Sequence, residues 1–341
     1  MPDAVNRQIV LRRRPVGAPT SDDFTLAESP APRPDDGQVL NRTIYLSLDP
    51  YMRGRMSAGP SYAAPVQLGE VMVGGTVGQV VESRHPGLAP GDFVLGGNGW
   101  QNYGVAPGDN LRKLDPSRAP ISYALGVLGM PGMTAYFALL EVGRPRSGET
   151  VVVSAASGAV GSVVGQIARI KGCRVVGIAG SDAKCDYVVR ELGFDACVNH
   201  RNPDLGAALS AACPNGIDVY FDNVGGRVLD AVLDHVNLHA RIPIVGLISQ
   251  YNAETPPPGP NLRRVLSKRV LIQGFLVGDY ADQADRFQAD VGQWVREGRI
   301  KYREDVVVGL ESAVSAFIGL LEGRNFGKLL VRVSPDPTQP T

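Results

Sequence analysis

The stretch Val-Val-Val-Ser-Ala-Ala-Ser-Gly-Ala-Val-Gly, residues 151–161, sets small residues where an anion could lie against bare backbone. Ala155, Gly158 and Gly161 fit A-x-x-G-x-x-G, a variant of the dinucleotide fingerprint. Gly158 would let the chain approach a pyrophosphate, and Gly161 would let the following helix close on the preceding strand. The helix N-terminus adds unpaired N–H groups and partial positive charge. Glycines also end strands for structural reasons alone. Here the context decides: an apolar strand precedes the motif and an amphipathic helix follows. In NAD sites an acid about 20 residues further on takes the ribose hydroxyls. Gly180 and Ser181 hold that place here, with Lys184 one helical turn later. A carboxylate there would repel a 2′-phosphate, whereas Gly-Ser with a lysine would accept one, and Arg201 could add a second charge. The reading is a bound dinucleotide, NADP(H) in preference to NAD(H). Asp182 reads as an N-cap or first-turn residue, its alternative being a ribose acid displaced by two places.

Metal chemistry would need Cys, His or Glu converging in a fixed geometry. The cysteines at 173, 185, 197 and 213 form no C-x-x-C, and the histidines at 85, 200, 235 and 239 form no H-E-x-x-H. His235 and His239, four apart, could share a helix face. Nothing nearby completes a site, so they read as half-exposed helix-end histidines. The first 122 residues hold no cysteine and only His85. A four-cysteine zinc loop and a thiolate-bound catalytic zinc are both excluded there, and the expected mechanism is zinc-independent. Tyr51 and Arg53, in Asp-Pro-Tyr-Met-Arg-Gly (49–54), are bulky polar residues beside a proline turn. Either they line a substrate pocket, with Arg53 toward a carbonyl or carboxylate, or Asp49 and Arg53 pair to hold the turn.

The elements that must position these residues follow from texture. From 1 to 121, short β-like runs (QIVLRRR, FTLAES, QVLNRTIYLSL, GGTVGQVVES, DFVLGG) are broken by Gly, Pro and Asp, as in a β-rich barrel-like unit. From 122 to 300, apolar strands alternate with helices, which predicts βαβ units and a parallel sheet covered on both faces. In the helix after the glycine loop, Val160, Val163, Val164, Ile167 and Ile170 follow the helical spacing. Residues 301–341 return to a strand–helix–strand texture and are expected to complete the first domain. The run TPPPGP (255–260) reads as a surface loop, and 335–341 as a disordered end. A chain of 341 residues can bury two cores. Lys plus Arg equals Asp plus Glu at 34 each, so no net field draws nucleic acid or a membrane. With neither an apolar leader nor a stretch of transmembrane length, the expected location is cytoplasmic.

Several motifs together carry a resemblance: LSLDPYMRGRM (46–56), MPGMTAYFAL (130–139), SAASGAVGSVVGQIARIKGC (154–173), YFDNVGG (220–226), VGLISQYN (245–252) and FGKLLVRV (326–333). The chain resembles the zinc-free medium-chain dehydrogenases/reductases, in the group of leukotriene hydroxydehydrogenase/prostaglandin reductase, plant alkenal double-bond reductases and bacterial curcumin-reductase-like enzymes. The resemblance implies a GroES-like β-rich domain, built from both termini, and a Rossmann domain. It implies Ala159, Val160, Gly161 and Ser162 on the pyrophosphate and Lys184 on the 2′-phosphate. His200 stands where the family often has tyrosine. Asn223 would lie beside the cofactor, with Val245, Gly246, Ile248, Ser249 and Tyr251, and the strand Phe275-Leu276-Val277, flanking the nicotinamide. Met130 and Thr134 would lie near the same ring, and Asn325 would reach the cofactor from the returning tail.

The activity implied is NADPH-dependent reduction of the double bond of α,β-unsaturated ketones and aldehydes, with Tyr251 as hydrogen-bond donor to the carbonyl oxygen. The bland alternative for Tyr251 is a packing residue. Quinone reduction and a non-catalytic NADPH-binding role are the competing readings. A homodimer is expected, with VLIQGFLVG able to pair across a two-fold axis. The run Arg263, Arg264, Lys268, Arg269 could draw acidic substrates, though a solvated helix face explains it more simply.

Overall fold

The computed structural model describes residues 4–255 and 257–339, so Pro256 of the proline run and the last two residues of the tail lie outside it. The chain forms two compact units, one of residues up to Leu125 with 304–325 and 329 onward, the other of 126–303 with 326–328. The texture boundaries at 121/122 and 300/301 fall a few residues before these. The tail was expected to return wholly to the first unit, yet residues 326–328 belong to the second. Gly327 N–H donates to the Ser157 carbonyl (3.2 Å), and Lys328 N–H to the Arg303 carbonyl (2.9 Å).

The first unit opens with the antiparallel pair β1 (Val5–Leu11) and β2 (Phe24–Pro30), followed by β3 (Gln38–Ser47) and the short α1 (Tyr51–Arg55). Then come β4 (Thr76–Ser83), β5 (Phe93–Gly96), β6 (Tyr103–Pro107) and β7 (Arg112–Leu114). The second unit contains α2 (Met130–Phe137), β8 (Thr150–Ser154), α3 (Gly161–Ile170), β9 (Arg174–Ala179), α4 (Asp182–Arg190), β10 (Ala196–Asn199) and α5 (Leu205–Ala212). It continues with β11 (Ile217–Phe221), α6 (Gly226–Leu233), β12 (Val236–Ile244), α7 (Arg263–Lys268), β13 (Leu271–Gly274) and α8 (Ala284–Arg296). The returning tail adds β14 (Glu304–Val308), α9 (Ala313–Leu321) and β15 (Lys328–Arg332).

In the first unit, β3 organises the sheet: β4 lies antiparallel on one side, and β6 and β15 divide the other side between them. Its core centres on Trp100, which is fully buried, stacked on Phe24 (5.7 Å) and met edge-on by Phe317 of α9 (5.5 Å). The tail thus contributes both a strand and core volume.

The second unit is a parallel sheet in the order β10-β9-β8-β11-β12-β13. Every residue of β8 is buried, as expected of a strand covered on both faces. Helix α3 also packs against the turn between α4 and β10, where Gly165 carries no side chain and the Phe194 ring takes the space. Strand order reverses between β8 and β11, and in such sheets ligands bind beyond the carboxyl ends of the strands at that point.

Two local expectations need correction. His235 and His239 share no helix: α6 ends at Leu233, and His239 lies in β12 with φ 63°. Phe275-Leu276-Val277 is not a strand. β13 stops at Gly274, and Val277 opens a 3-10 turn, because Tyr280 stacks between Phe137 (4.9 Å) and Phe275 (5.3 Å) and folds the segment back onto α2.

Candidate functional site

Because the strands are parallel, the residues that follow their carboxyl ends share one edge of the sheet: 155–162, 180–184, 200, 222–223, 245–251 and 275–277. The glycine loop after β8 turns at Ala155, held at φ 50°. A Cβ on Gly158 would stand 3.1 Å from the Ala155 carbonyl oxygen, and one on Gly161 only 2.4 Å from it. The turn therefore closes only without a side chain at Gly161 and leaves little room for one at Gly158. Ser162 N–H closes onto the Gly158 carbonyl (3.0 Å), so α3 begins directly against the loop. The amides of Ala159, Val160 and Gly161 lead into and open α3, at the helix end whose N–H groups are left for an outside acceptor such as a phosphate.

At the end of β9, Ser181 caps α4, its Oγ accepting from Lys184 N–H (3.3 Å). Asp182 takes the first-turn place, and its Oδ1 accepts from Asn199 Nδ2 (2.9 Å). The His200 ring lies over Gly180, where a Cβ would be 3.3 Å from Nε2. Burial, and then the positive charges of Arg201, Arg227 and Lys184, hold His200 below the usual imidazole range. It is therefore neutral at pH 7 among three cations. Arg227 was missed by sequence reasoning because it follows the distant FDNVGG motif. Its Nη2 donates to the Asn202 (2.9 Å) and Pro203 (3.3 Å) carbonyls.

At the switch point, Ser154 ends β8 and binds Asn223 twice: Asn223 N–H donates to Ser154 Oγ (2.9 Å) and Nδ2 to the Ser154 carbonyl (2.8 Å). Beside them the fully buried Asp222 accepts at Oδ1 from Tyr220 Oη (2.8 Å) and from the Val224 and Gly225 amides (2.9 Å each). Its Oδ2 has no partner, and burial pushes the carboxyl up. Ser154 and Asp222 also escaped sequence reasoning, since a serine ending a strand and an aspartate before Asn carry no signal of their own. The loop after β12 is sewn to this corner. Val245 and Gly246 N–H donate to the Asp222 carbonyl (2.9 and 3.2 Å), Ile248 N–H to Asn223 (3.4 Å), and Ser249 Oγ to Val224 (2.6 Å). Tyr251 Oη accepts from Leu247 N–H at 3.3 Å, and burial raises its pKa. The hydroxyl therefore stays neutral and keeps its proton to donate.

Thr134, on α2, donates its hydroxyl to the Met130 carbonyl (2.7 Å), so a ligand would meet it as an acceptor. Met130 itself is exposed. The Phe275 side chain is buried and stacks on Tyr280, while Leu276 is exposed.

In the first unit, Tyr51 opens α1, half-buried, with burial and Asp49 raising its pKa. Arg53 is 5% exposed. Its Nη1 donates to Ser57 Oγ and its Nη2 to the Gly17 carbonyl, both at 2.8 Å. Asn325 lies half-buried between α9 and β15, two residues before the Gly327 that bonds the glycine loop. No group of three or more His, Cys, Asp or Glu able to hold a metal occurs among the described residues. Among them, too, no helix is long and apolar enough to cross a membrane.

The small-residue loop at 155–161 and the cations about His200 fit a phosphorylated dinucleotide. Family models agree with this architecture: residues 7–114 match the N-terminal domain of oxidoreductase, and residues 159–296 match the family described as zinc-binding dehydrogenase. The chain belongs to the medium-chain dehydrogenase/reductase family. The NADPH-dependent curcumin reductase of Escherichia coli is 54% identical over 337 residues, covering 97% of this chain and 98% of that one. The NADP(+)-dependent 2-alkenal reductase of Nicotiana tabacum is 44% identical, covering 96% of this chain and 98% of the relative. CurA of Vibrio vulnificus, solved in complex with NADPH, superposes with a TM-score of 0.93 at 52% identity, covering 97% of this chain and all of that one.

Proposed function

We propose that this protein is an NADPH-dependent reductase of the carbon–carbon double bond in α,β-unsaturated ketones and aldehydes. The observation that carries the reading is Tyr251: a neutral hydroxyl at the switch point that accepts from Leu247 N–H and retains its own proton. The relatives named for NADPH-dependent curcumin and 2-alkenal reduction support it.

NADPH, when bound, supplies the hydride that adds to the β carbon. The protein's tasks are the rest. As negative charge gathers on the substrate's carbonyl oxygen, a preorganised donor lowers the barrier. Tyr251 Oη serves as that donor, polarised by the amide it accepts from. Water supplies the proton to the α carbon. Tyr51 is a second hydroxyl we assign to the substrate. Arg53, with both terminal nitrogens engaged, we assign to bracing the segment that carries Tyr51. Lys184, His200 and Arg201 select the 2′-phosphate, and Ala159–Ser162 receive the pyrophosphate. Asn223, anchored through Nδ2, offers Oδ1 to the cofactor.

The test is loss of NADPH absorbance with a 2-alkenal, a phenyl-substituted enone, a quinone and a simple ketone, each repeated with NADH. Turnover of the alkenal and enone with NADPH upholds the proposal. Turnover of the quinone alone replaces it with quinone reduction, and binding of NADPH without any turnover removes the catalytic reading.

A further inference from the structure

The four cysteines divide by environment. Burial pushes Cys173 and Cys213 up to about 11. Cys173 donates its S–H to the Arg146 carbonyl, and Cys213 lies in the apolar core of the sheet. Cys185, in the first turn of α4, and Cys197, in β10, instead meet each other: Cys197 S–H donates to Cys185 Sγ across 2.9 Å. Room for the two sulfurs comes from β9, where a Cβ on Gly177 would stand 3.1 Å from Cys197 Sγ. A disulfide needs about 2.05 Å, so roughly 1 Å of motion separates the thiols from a bond.

The pair sits on the two segments that frame the phosphate pocket. Cys185 follows Lys184, and its N–H donates to the carbonyl of the cap residue Ser181 (3.0 Å). Cys197 precedes Asn199, His200 and Arg201 on the same strand end, and Asn199 already grips Asp182 (2.9 Å). We propose that Cys185 and Cys197 are a redox modification site: a peroxide converts them to an intramolecular disulfide that ties the start of α4 to β10 and weakens binding of a 2′-phosphate. The second half of this statement rests on the proposed NADPH site; the first does not.

The chemistry balances without any bound group. One thiol loses its proton, and its sulfur attacks a peroxide oxygen as the O–O bond breaks. The departing hydroxide takes that proton as water and a sulfenic acid remains. The second sulfur attacks the sulfenic sulfur, the S–S bond forms as S–O breaks, and the leaving hydroxide takes the second thiol's proton. Two thiols and one peroxide give one disulfide and two waters. Cys185 starts the sequence more readily, because the hydrogen bond from Cys197 holds its thiol below the usual range while that same contact, and then burial, push Cys197 up.

The experiment uses the full-length protein, reduced or treated with hydrogen peroxide, then alkylated and weighed. The expected product is lighter by two hydrogens before alkylation, keeps two of its four thiols, and yields a cross-linked 185–197 peptide. Four alkylated cysteines after peroxide, or a cross-link elsewhere, overturns the site. Dissociation constants for NADPH and NADH, read by fluorescence quenching, are then compared between the two forms. We expect the NADPH constant to rise several-fold, dithiothreitol to reverse it, and NADH to be unmoved. Cys197→Ser and Cys185→Ala should keep the reduced protein's affinity and lose the response. A cross-link with unchanged NADPH affinity overturns the control of the pocket. Equal weakening of both cofactors overturns the 2′-phosphate assignment and leaves the thiol pair standing.

Discussion

Single residues carry the chemistry, and three of them make separable predictions. Tyr251 keeps its proton because Leu247 N–H occupies its oxygen and burial resists its ionisation. Tyr251→Phe should lower kcat about 100-fold while the NADPH dissociation constant stays within a factor of two or so, the pattern of a group acting in the transition state. Steady-state rates with an enone check it. Lys184→Ala should raise the KM for NADPH roughly tenfold, about 1.4 kcal/mol, and barely move that for NADH. His200 gives a pH effect whose sign can be worked out. Its pKa is depressed in the folded protein, so the stability it contributes is present above the ordinary imidazole pKa of about 6.5 and is lost as pH falls. A 2′-phosphate opposes that depression. Between pH 7.5 and 5.5, roughly the imidazole window, preference for NADPH over NADH should rise in the wild type relative to His200→Asn. Parallel dissociation-constant profiles would remove His200 from phosphate binding.

At the scale of elements, the loop between β8 and α3 is shaped by what its glycines lack. Gly161→Ala would push a methyl group to 2.4 Å from the Ala155 carbonyl oxygen, against backbone rather than a yielding side chain. The variant should melt at lower temperature and bind NADPH and NADH equally more weakly, which calorimetry and a titration of each cofactor would show. The loops after β11 and β12 behave as one piece, because the Asp222, Asn223 and Val224 carbonyls accept the amides of Val245, Gly246, Ile248 and Ser249. That stitching holds the loop, and within it Tyr251 is fixed by its own neighbours, its Oη by Leu247 N–H and its N–H by the Ile248 carbonyl.

On the scale of the whole molecule, the parallel sheet ends at β13, with Leu271 and Leu276 exposed on and beside that strand. An open edge of this kind invites another strand. We expect a homodimer formed through β13, and Leu271→Lys should convert it to a monomer in sedimentation experiments. A wild-type monomer would refute this.

What the amino-acid sequence determined by itself was local. Alternating apolar strands and helices announced the parallel sheet, the spacing of Ala155, Gly158 and Gly161 announced the tight loop into α3, and Gly180-Ser181 announced a strand end with the cap of α4 in place of a carboxylate. Each signal lies within a few turns of chain, where propensity and spacing act directly. Only the tertiary structure brought Arg227 to His200, Ser154 to Asn223, and Cys197 to Cys185, and stacked Tyr280 between Phe137 and Phe275. Those contacts join different elements of the fold. Their partners are chosen by strand order and by which groups must be satisfied once buried, and no single stretch of chain records either.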